Sequence, residues 1–292
     1  MAEPFPICYL NGEYLPLKDA RVSPLDRAFL YADSVYEVLP VYHDRPFRLA
    51  AHCARLNRSL REIRMAPPLS DTQWAEITTG LAARNGGGTL YVYLQVSRGA
   101  EYGRNHTIPT GITPTIFGFA APLPGVTAEM LRDGVSAVTT EDLRWGRCDI
   151  KSTALLANVL AKQIATDAGA MEAILMRDGR LMEGSSTTVH VVRGGTICVP
   201  PESHWILPGT TRDVVIELAE RAGIPERTGE ISREDLVTAD EIWLGAATRE
   251  VVAVTRLDGK PVGNGRPGPL WRRVYDLFQA YKRELATRPV LP

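Results

Sequence analysis

Two runs rich in β-branched and aromatic residues, 34–42 (SVYEVLPVY) and 89–97 (TLYVYLQVS), read as strands. Between them lie two helical patterns. Leu49, Cys53, Leu56, Leu60 and Ile63 recur at helical spacing over 49–64. Met65-Ala66-Pro67-Pro68 ends that helix, and Ser70 is placed to cap a second one over 71–84. Asn85-Gly86-Gly87-Gly88 then breaks the chain. A strand, two helices and a strand in succession call for helices packed on a sheet, so the class is α+β. Asn11-Gly12 between apolar runs adds a hairpin over 7–17, and 113–120 reads as a further strand.

Ala121-Pro122-Leu123-Pro124-Gly125 has the paired prolines and glycine of a linker. At about 150 residues per domain, 292 residues suggest two. The expected organisation is a small N-terminal domain over 1–120, a linker over 121–126 and a larger C-terminal domain over 127–292. In the second half a helix is expected over 152–168, carrying Leu155, Leu156, Val159, Leu160 and Ile164. Strands are expected near 172–177, 187–192 and 196–199, then at 241–245 and 250–256. Pro208-Gly209-Thr210-Thr211 opens a helix to about Ala222, and Pro269 precedes a last one.

Lys+Arg total 33 against 34 Asp+Glu, a net charge of −1. Nucleic acid and anionic membranes would ask for a basic excess, so neither is the expected partner. Cys8, Cys53, Cys148 and Cys198 form no CxxC pair, which argues against a zinc ribbon or a dithiol site. The plain reading is reduced thiols in a cytoplasmic protein, with no secretory leader and no membrane span.

Four segments could carry chemistry. Leu207-Pro208-Gly209-Thr210-Thr211-Arg212 offers hydroxyls and unpaired amides at a helix start, which suits a phosphate, or is an ordinary helix start. Lys151 follows an apolar-flanked segment; if buried, it loses charge and suits Schiff-base chemistry, and otherwise it is a solvated lysine. Glu183, followed by Gly184-Ser185-Ser186, leaves room for a flat ligand and could hold a protonated ring nitrogen, or is a solvated loop carboxylate. Arg104 and His106 alternate within 98–110, so both can point one way as a carboxylate clamp, or the loop is simply polar surface. No carboxylate or second histidine stands at metal spacing from His106, so no metal is expected. GxGxxG and GxxxxGK[ST] are both absent.

The order and spacing of these motifs resemble the fold-type IV pyridoxal-phosphate aminotransferases, and within them the D-amino-acid branch most. Asp33-Ser34-Val35-Tyr36-Glu37-Val38 resembles that branch's FGDGVYEV stretch, and His52-Cys53-Ala54-Arg55-Leu56 the family's HxxRL. Arg98 to His106 resembles the RGxxxRxH loop, and Asp149-Ile150-Lys151-Ser152 the lysine motif. Glu183-Gly184-Ser185-Ser186 and Leu207 to Arg212 complete the set, so the likeness runs from Tyr9 to Val262.

The resemblance implies a two-domain α+β fold with pyridoxal 5'-phosphate between the domains. Lys151 would form the internal aldimine and then carry the Cα proton. Glu183 would pair with the pyridine nitrogen, and Leu207 would pack on the ring. Arg55, Thr210, Thr211 and Thr248 would bind the phosphate. Tyr36, Arg104 and His106 would bind the substrate carboxylate, the loop coming from the partner of a homodimer. The implied reaction moves an amino group from D-amino acids such as D-alanine or D-glutamate to 2-oxoglutarate or pyruvate, through a pyridoxamine half-reaction. Branched-chain L-amino-acid or (R)-amine transamination and aminodeoxychorismate lyase chemistry are alternatives on the same scaffold; a binding protein without catalysis would have no use for Lys151 and Glu183. Thr187-Thr188 and Ala246-Ala247 depart from the family pattern. Arg27, Arg98 and Arg249 are extra charges, either favouring acidic substrates or solvated.

Overall fold

The computed structural model describes residues 3–287; Met1, Ala2 and 288–292, the outer ends of the two expected domains, lie outside them. The chain divides into two compact units. Among the described residues the first comprises 3–123, the short segment 150–154 and 285–287; the second comprises 124–149 and 155–284.

The first unit contains β1 (Ile7–Leu10), β2 (Glu13–Pro16), α1 (Arg27–Tyr31), β3 (Ser34–Tyr42), β4 (Arg45–Pro46), α2 (Leu49–Glu62), α3 (Asp71–Arg84), β5 (Leu90–Ser97) and β6 (Thr115–Pro122). Its strands form an antiparallel sheet in the order β2-β1-β6-β5-β3-β4. β1 turns into β2 at Asn11-Gly12, both at positive φ, as the hairpin signal requires. β3 and β5 pair from Ser34↔Ser97 to Val41↔Leu90. Alternate residues of β5 are buried under α2 and α3, where Leu56, Leu60, Trp74 and Leu81 complete the core. α3 starts with a capping box between Ser70 and Gln73.

The second unit contains α4 (Ala128–Asp133), β7 (Val135–Glu141), α5 (Leu156–Asp167), β8 (Glu172–Arg177), β9 (Arg180–Gly184), β10 (Thr188–Arg193), β11 (Thr196–Val199), α6 (Thr210–Arg221), β12 (Glu226–Thr228), α7 (Arg233–Val237), β13 (Glu241–Ala246), β14 (Glu250–Leu257) and β15 (Lys260–Pro261). α8 (Pro269–Thr287) closes the described chain. The mixed sheet runs β12-β11-β10-β13-β14-β7-β8-β9, with β15 beside β14. β7 is parallel to both β8 and β14.

Two expectations change. The helix expected over 152–168 begins only at Leu156, because Ser152 bridges Val35 and the Thr153 amide bonds to the Ser34 carbonyl. Its apolar stripe also faces outward: Leu156, Val159, Leu160 and Ile164 are exposed. Ala161 and Ala165 pack inward instead, against Ala173 and Leu175 of β8. Among the described residues no helix is long and apolar enough to cross a membrane.

Candidate active site

Within the first unit, Lys151 is held by its backbone. Its carbonyl accepts from the Tyr36 amide at 2.9 Å, and its own amide donates to Ser59 Oγ at 3.2 Å. Ile150, one residue before it, is buried in the core. The side chain is half-buried, and Nζ stands 4.3 Å from the centre of the Tyr36 ring. Tyr36 in turn stacks on Tyr93 at 5.5 Å, and Tyr93 on Phe119 at 5.0 Å. The structure thus brings Lys151 and Tyr36 together on the outer end of β3.

Arg55 projects from α2 and is buried. Glu37 of β3 accepts from its Nε at 2.7 Å and its Nη2 at 2.9 Å. Glu37 Oε2 also meets His52 Nδ1 at 2.8 Å. Burial pushes the Glu37 carboxyl up, but Arg55 and His52 outweigh it and hold it well below the usual carboxylate range. Glu37 therefore stays ionised and fixes the plane of the Arg55 guanidinium.

Arg104 and His106 are exposed, and both lie against the Tyr31 ring at 5.3 Å. The two side chains thus share the Tyr31 ring as a support. Arg27 and Arg98 are neither solvated nor open to a ligand. Both are buried and bonded to Asp33, Arg27 Nε at 2.9 Å and Arg98 Nε at 2.7 Å.

In the second unit, Glu183 ends β9 and is buried. It accepts a bond from Arg144 Nη1, and the Leu207 amide stands 3.3 Å from its Oε2. Arg144 is itself gripped by Asp142, from Nε at 2.9 Å and Nη2 at 3.0 Å. Burial raises the Asp142 carboxyl, yet Arg144 and Arg177 hold it below its ordinary value. Arg144 is a site residue that the motifs did not reveal. Its only trace in sequence is Asp142-Leu143-Arg144, a charged pair two residues apart in a strand exit. Behind Glu183, the Glu172 carboxylate accepts from the hydroxyls of Ser185, Ser186 and Thr187, so Thr187 has a role in holding that turn.

Gly209 precedes α6, and no side chain caps the helix there. A Cβ on Gly209 would stand 2.6 Å from Thr188 Oγ1, so glycine lets the helix start close on β10. Thr210 and Thr211 occupy the first buried turn. Thr248 lies half-buried in the turn between β13 and β14, its carbonyl accepting from the Gly125 amide at 3.3 Å. A primary amine, a carboxylate backed by arginine, and an uncapped helix start with two threonines are the donor set that a pyridine aldehyde bearing a phosphate needs.

The family model for amino-transferase class IV matches residues 34–257. The chain belongs to the class IV aminotransferases. It is a pyridoxal-phosphate-dependent aminotransferase with a two-domain α+β fold of type IV. Among curated relatives, D-alanine aminotransferase of Bacillus licheniformis is 38% identical over 273 residues, 92% of this chain and 94% of the relative. D-alanine aminotransferase of Staphylococcus aureus strain COL is 36% identical, covering 94% of this chain and 96% of its own. Among solved structures, branched-chain amino acid aminotransferase of Escherichia coli superposes with a TM-score of 0.89 at 28% identity, covering 94% of each chain. A second branched-chain amino acid aminotransferase, the T.th. enzyme complexed with N-(5'-phosphopyridoxyl)-L-glutamate, gives 0.88 at 27% identity, covering 99% of this aminotransferase and 97% of that chain.

Proposed function

We propose that this aminotransferase acts on D-amino acids such as D-alanine and D-glutamate, with pyruvate or 2-oxoglutarate as acceptor. The observation that carries the reading is the meeting of Arg104 and His106 on Tyr31, a guanidinium and an imidazole suited to an α-carboxylate. The D-alanine aminotransferase relatives support it.

In this reading the bound cofactor supplies an electron sink for the pair released at Cα. Lys151 takes the proton from Cα. Glu183, bonded to Arg144, holds the ring nitrogen protonated, and Leu207 packs on the ring face. Arg55, fixed by Glu37, binds the phosphate with Thr210, Thr211 and Thr248. Tyr36, Arg104 and His106 hold the substrate carboxylate. With the carboxylate and the base both fixed, one enantiomer presents its hydrogen to Lys151.

The reading includes a homodimer in which the 98–110 loop serves the partner's site. Support comes from large apolar side chains left exposed: Phe29 and Tyr102 beside that loop's anchors, and the outward stripe of α5. It also includes residues 121–126 as the joint between domains, and a cytoplasmic setting. Support for the latter is four free, buried cysteines, of which burial pushes Cys53 up to about 12.

A second reading, a branched-chain L-aminotransferase, is favoured by the solved structures named above. The visible spectrum of the holoprotein separates the two. D-alanine is expected to bleach the cofactor band and L-leucine to leave it; bleaching by L-leucine alone would establish the second reading.

A further inference from the structure

We propose that Arg27 is a positioning residue that holds the carboxylate-binding loop in its working shape, acting through Glu101 and Asn105. The inference rests on the reading of Arg104 and His106 as carboxylate ligands. Arg27 itself is set back from any ligand, since it is 4% exposed and its Nε and Nη1 are engaged by protein groups.

Arg27 spreads its donors over three places. Nε bonds to Asp33 Oδ2 at 2.9 Å. Nη1 bonds to Glu101 Oε2 at 3.0 Å and to the Asn105 carbonyl at 2.8 Å. Glu101 and Asn105 bracket Arg104, one three residues before it and one directly after. The Arg27 guanidinium also lies 4.7 Å over Tyr31, the same ring that carries Arg104 and His106. One buried cation therefore fixes the loop on both sides of Arg104 and fixes the platform beneath it.

The loop base has anchors of its own. Asp26 accepts from Ser97 Oγ and Thr115 Oγ1, both at 2.7 Å, and Asp26 bridges Ala100. Arg98 bonds to Asp33 and to the Ile63 carbonyl. The Arg27 amide adds a bond to the Gly99 carbonyl that no side-chain substitution removes, and Asp33 is shared between Arg98 and Arg27. The bonds from Arg27 Nη1 act only on the stretch that presents the ligands. The charges also balance: two arginines meet Asp33 and Glu101, so Arg104 is left with its charge unspent on this cluster. Loops that bind ligands are mobile unless tied down, and a clamp that wanders loses affinity before it loses chemistry.

The test uses the holoenzyme with D-alanine. Glu101→Gln removes one anchor at a half-exposed position and keeps the side chain's shape. It is expected to raise KM by about fivefold with kcat within about twofold, the cofactor band unchanged. Arg27→Met is expected to raise KM further, and Arg27→Lys to recover part of the loss. In an Arg104→Ala, His106→Ala background, Glu101→Gln is expected to change kcat/KM no further, because the groups it positions are gone. An equal loss in that background, or a fall in kcat with a changed cofactor band, would overturn the proposal by marking a general structural role. If Arg104→Ala raises KM but Glu101→Gln and Arg27→Met do not, this inference fails alone. If Arg104→Ala leaves KM unchanged, the carboxylate reading fails and takes this inference with it.

Discussion

His190 sits in β10 with no exposed surface, and neither ring nitrogen has a hydrogen-bond partner among the described residues. Its Cε1 stands 3.1 Å from where a Cβ on Gly245 would be, with Thr211 of the helix start next to the same point. Burial, aided by Arg212, pushes its pKa down to about 3 from the ordinary 6.5. Between those values the unfolded chain takes up a proton that the folded chain refuses, so stability rises with pH. The contribution is complete above pH 6.5 and drains away as the pH falls toward 3. At pH 5 the loss is about 2 kcal/mol by the usual conversion of a pKa difference. His190→Phe removes the titration, and whatever the new ring costs in packing is the same at every pH. Denaturant midpoints from about pH 7.5 to 5 are expected to fall less steeply in the variant; parallel profiles would remove His190 from the acid response. Such residues mark the limit of reading single letters. Lys151, Glu183 and Arg55 were legible because motif order named them. Arg144, Glu37 as its counterpart in the other unit, and His190 draw their meaning from neighbours distant in sequence. Arg27 and Arg98 likewise read as extra charges, either favouring acidic substrates or solvated, and Asp33 lies against both instead.

At the scale of elements, local signals succeeded where local energetics decide. β3 spans 34–42 as its run of β-branched and aromatic residues required, and α3 starts at the residue after its Ser70 cap. α5 failed because tertiary pairing of Ser152 and Thr153 with β3 competes with helix for the same backbone, and because its two alanines, not its leucines, allow close approach to β8. β9 was hidden in what read as a turn followed by a loop, since its five residues include Glu183 at a buried position. α6 shows an element whose proposed phosphate-binding role depends on close approach. Gly209→Ala would set a methyl 2.6 Å from Thr188 Oγ1 and 3.3 Å from Arg212 Cβ, so the helix start must move away from β10. The first-turn amides then lose their aim at a phosphate. The variant is expected to bind pyridoxal phosphate about tenfold more weakly, a change of about 1.4 kcal/mol, by titration of the apoprotein. Adding Thr188→Ala opens the space and is expected to restore most of the affinity. Tight cofactor binding by Gly209→Ala alone would show that the α6 start is not a phosphate ligand.

For the whole molecule, the apolar stripe of α5, Phe29 and Tyr102 are exposed among the described residues, and the proposed dimer would cover them. A closed two-fold dimer would use each surface twice, and it allows the loop of one copy to complete the site of the other. Subunit mixing tests that arrangement directly. A Lys151→Ala chain lacks the base but has an intact loop. An Arg104→Ala chain has the base and a defective loop. If loops serve the partner, each mixed dimer has one site lacking both groups and one site lacking neither. Random exchange makes half the dimers mixed, so turnover is expected to recover to about a quarter of the native rate from two nearly inactive parents. If each loop serves its own chain, every site in the mixture lacks one group, and the rate stays at the average of the parents. The same mixture, run with D-alanine and with L-leucine, ties the assembly to the stereochemistry, because a trans-acting clamp that orients the carboxylate must restore turnover of the enantiomer the native enzyme prefers and of no other.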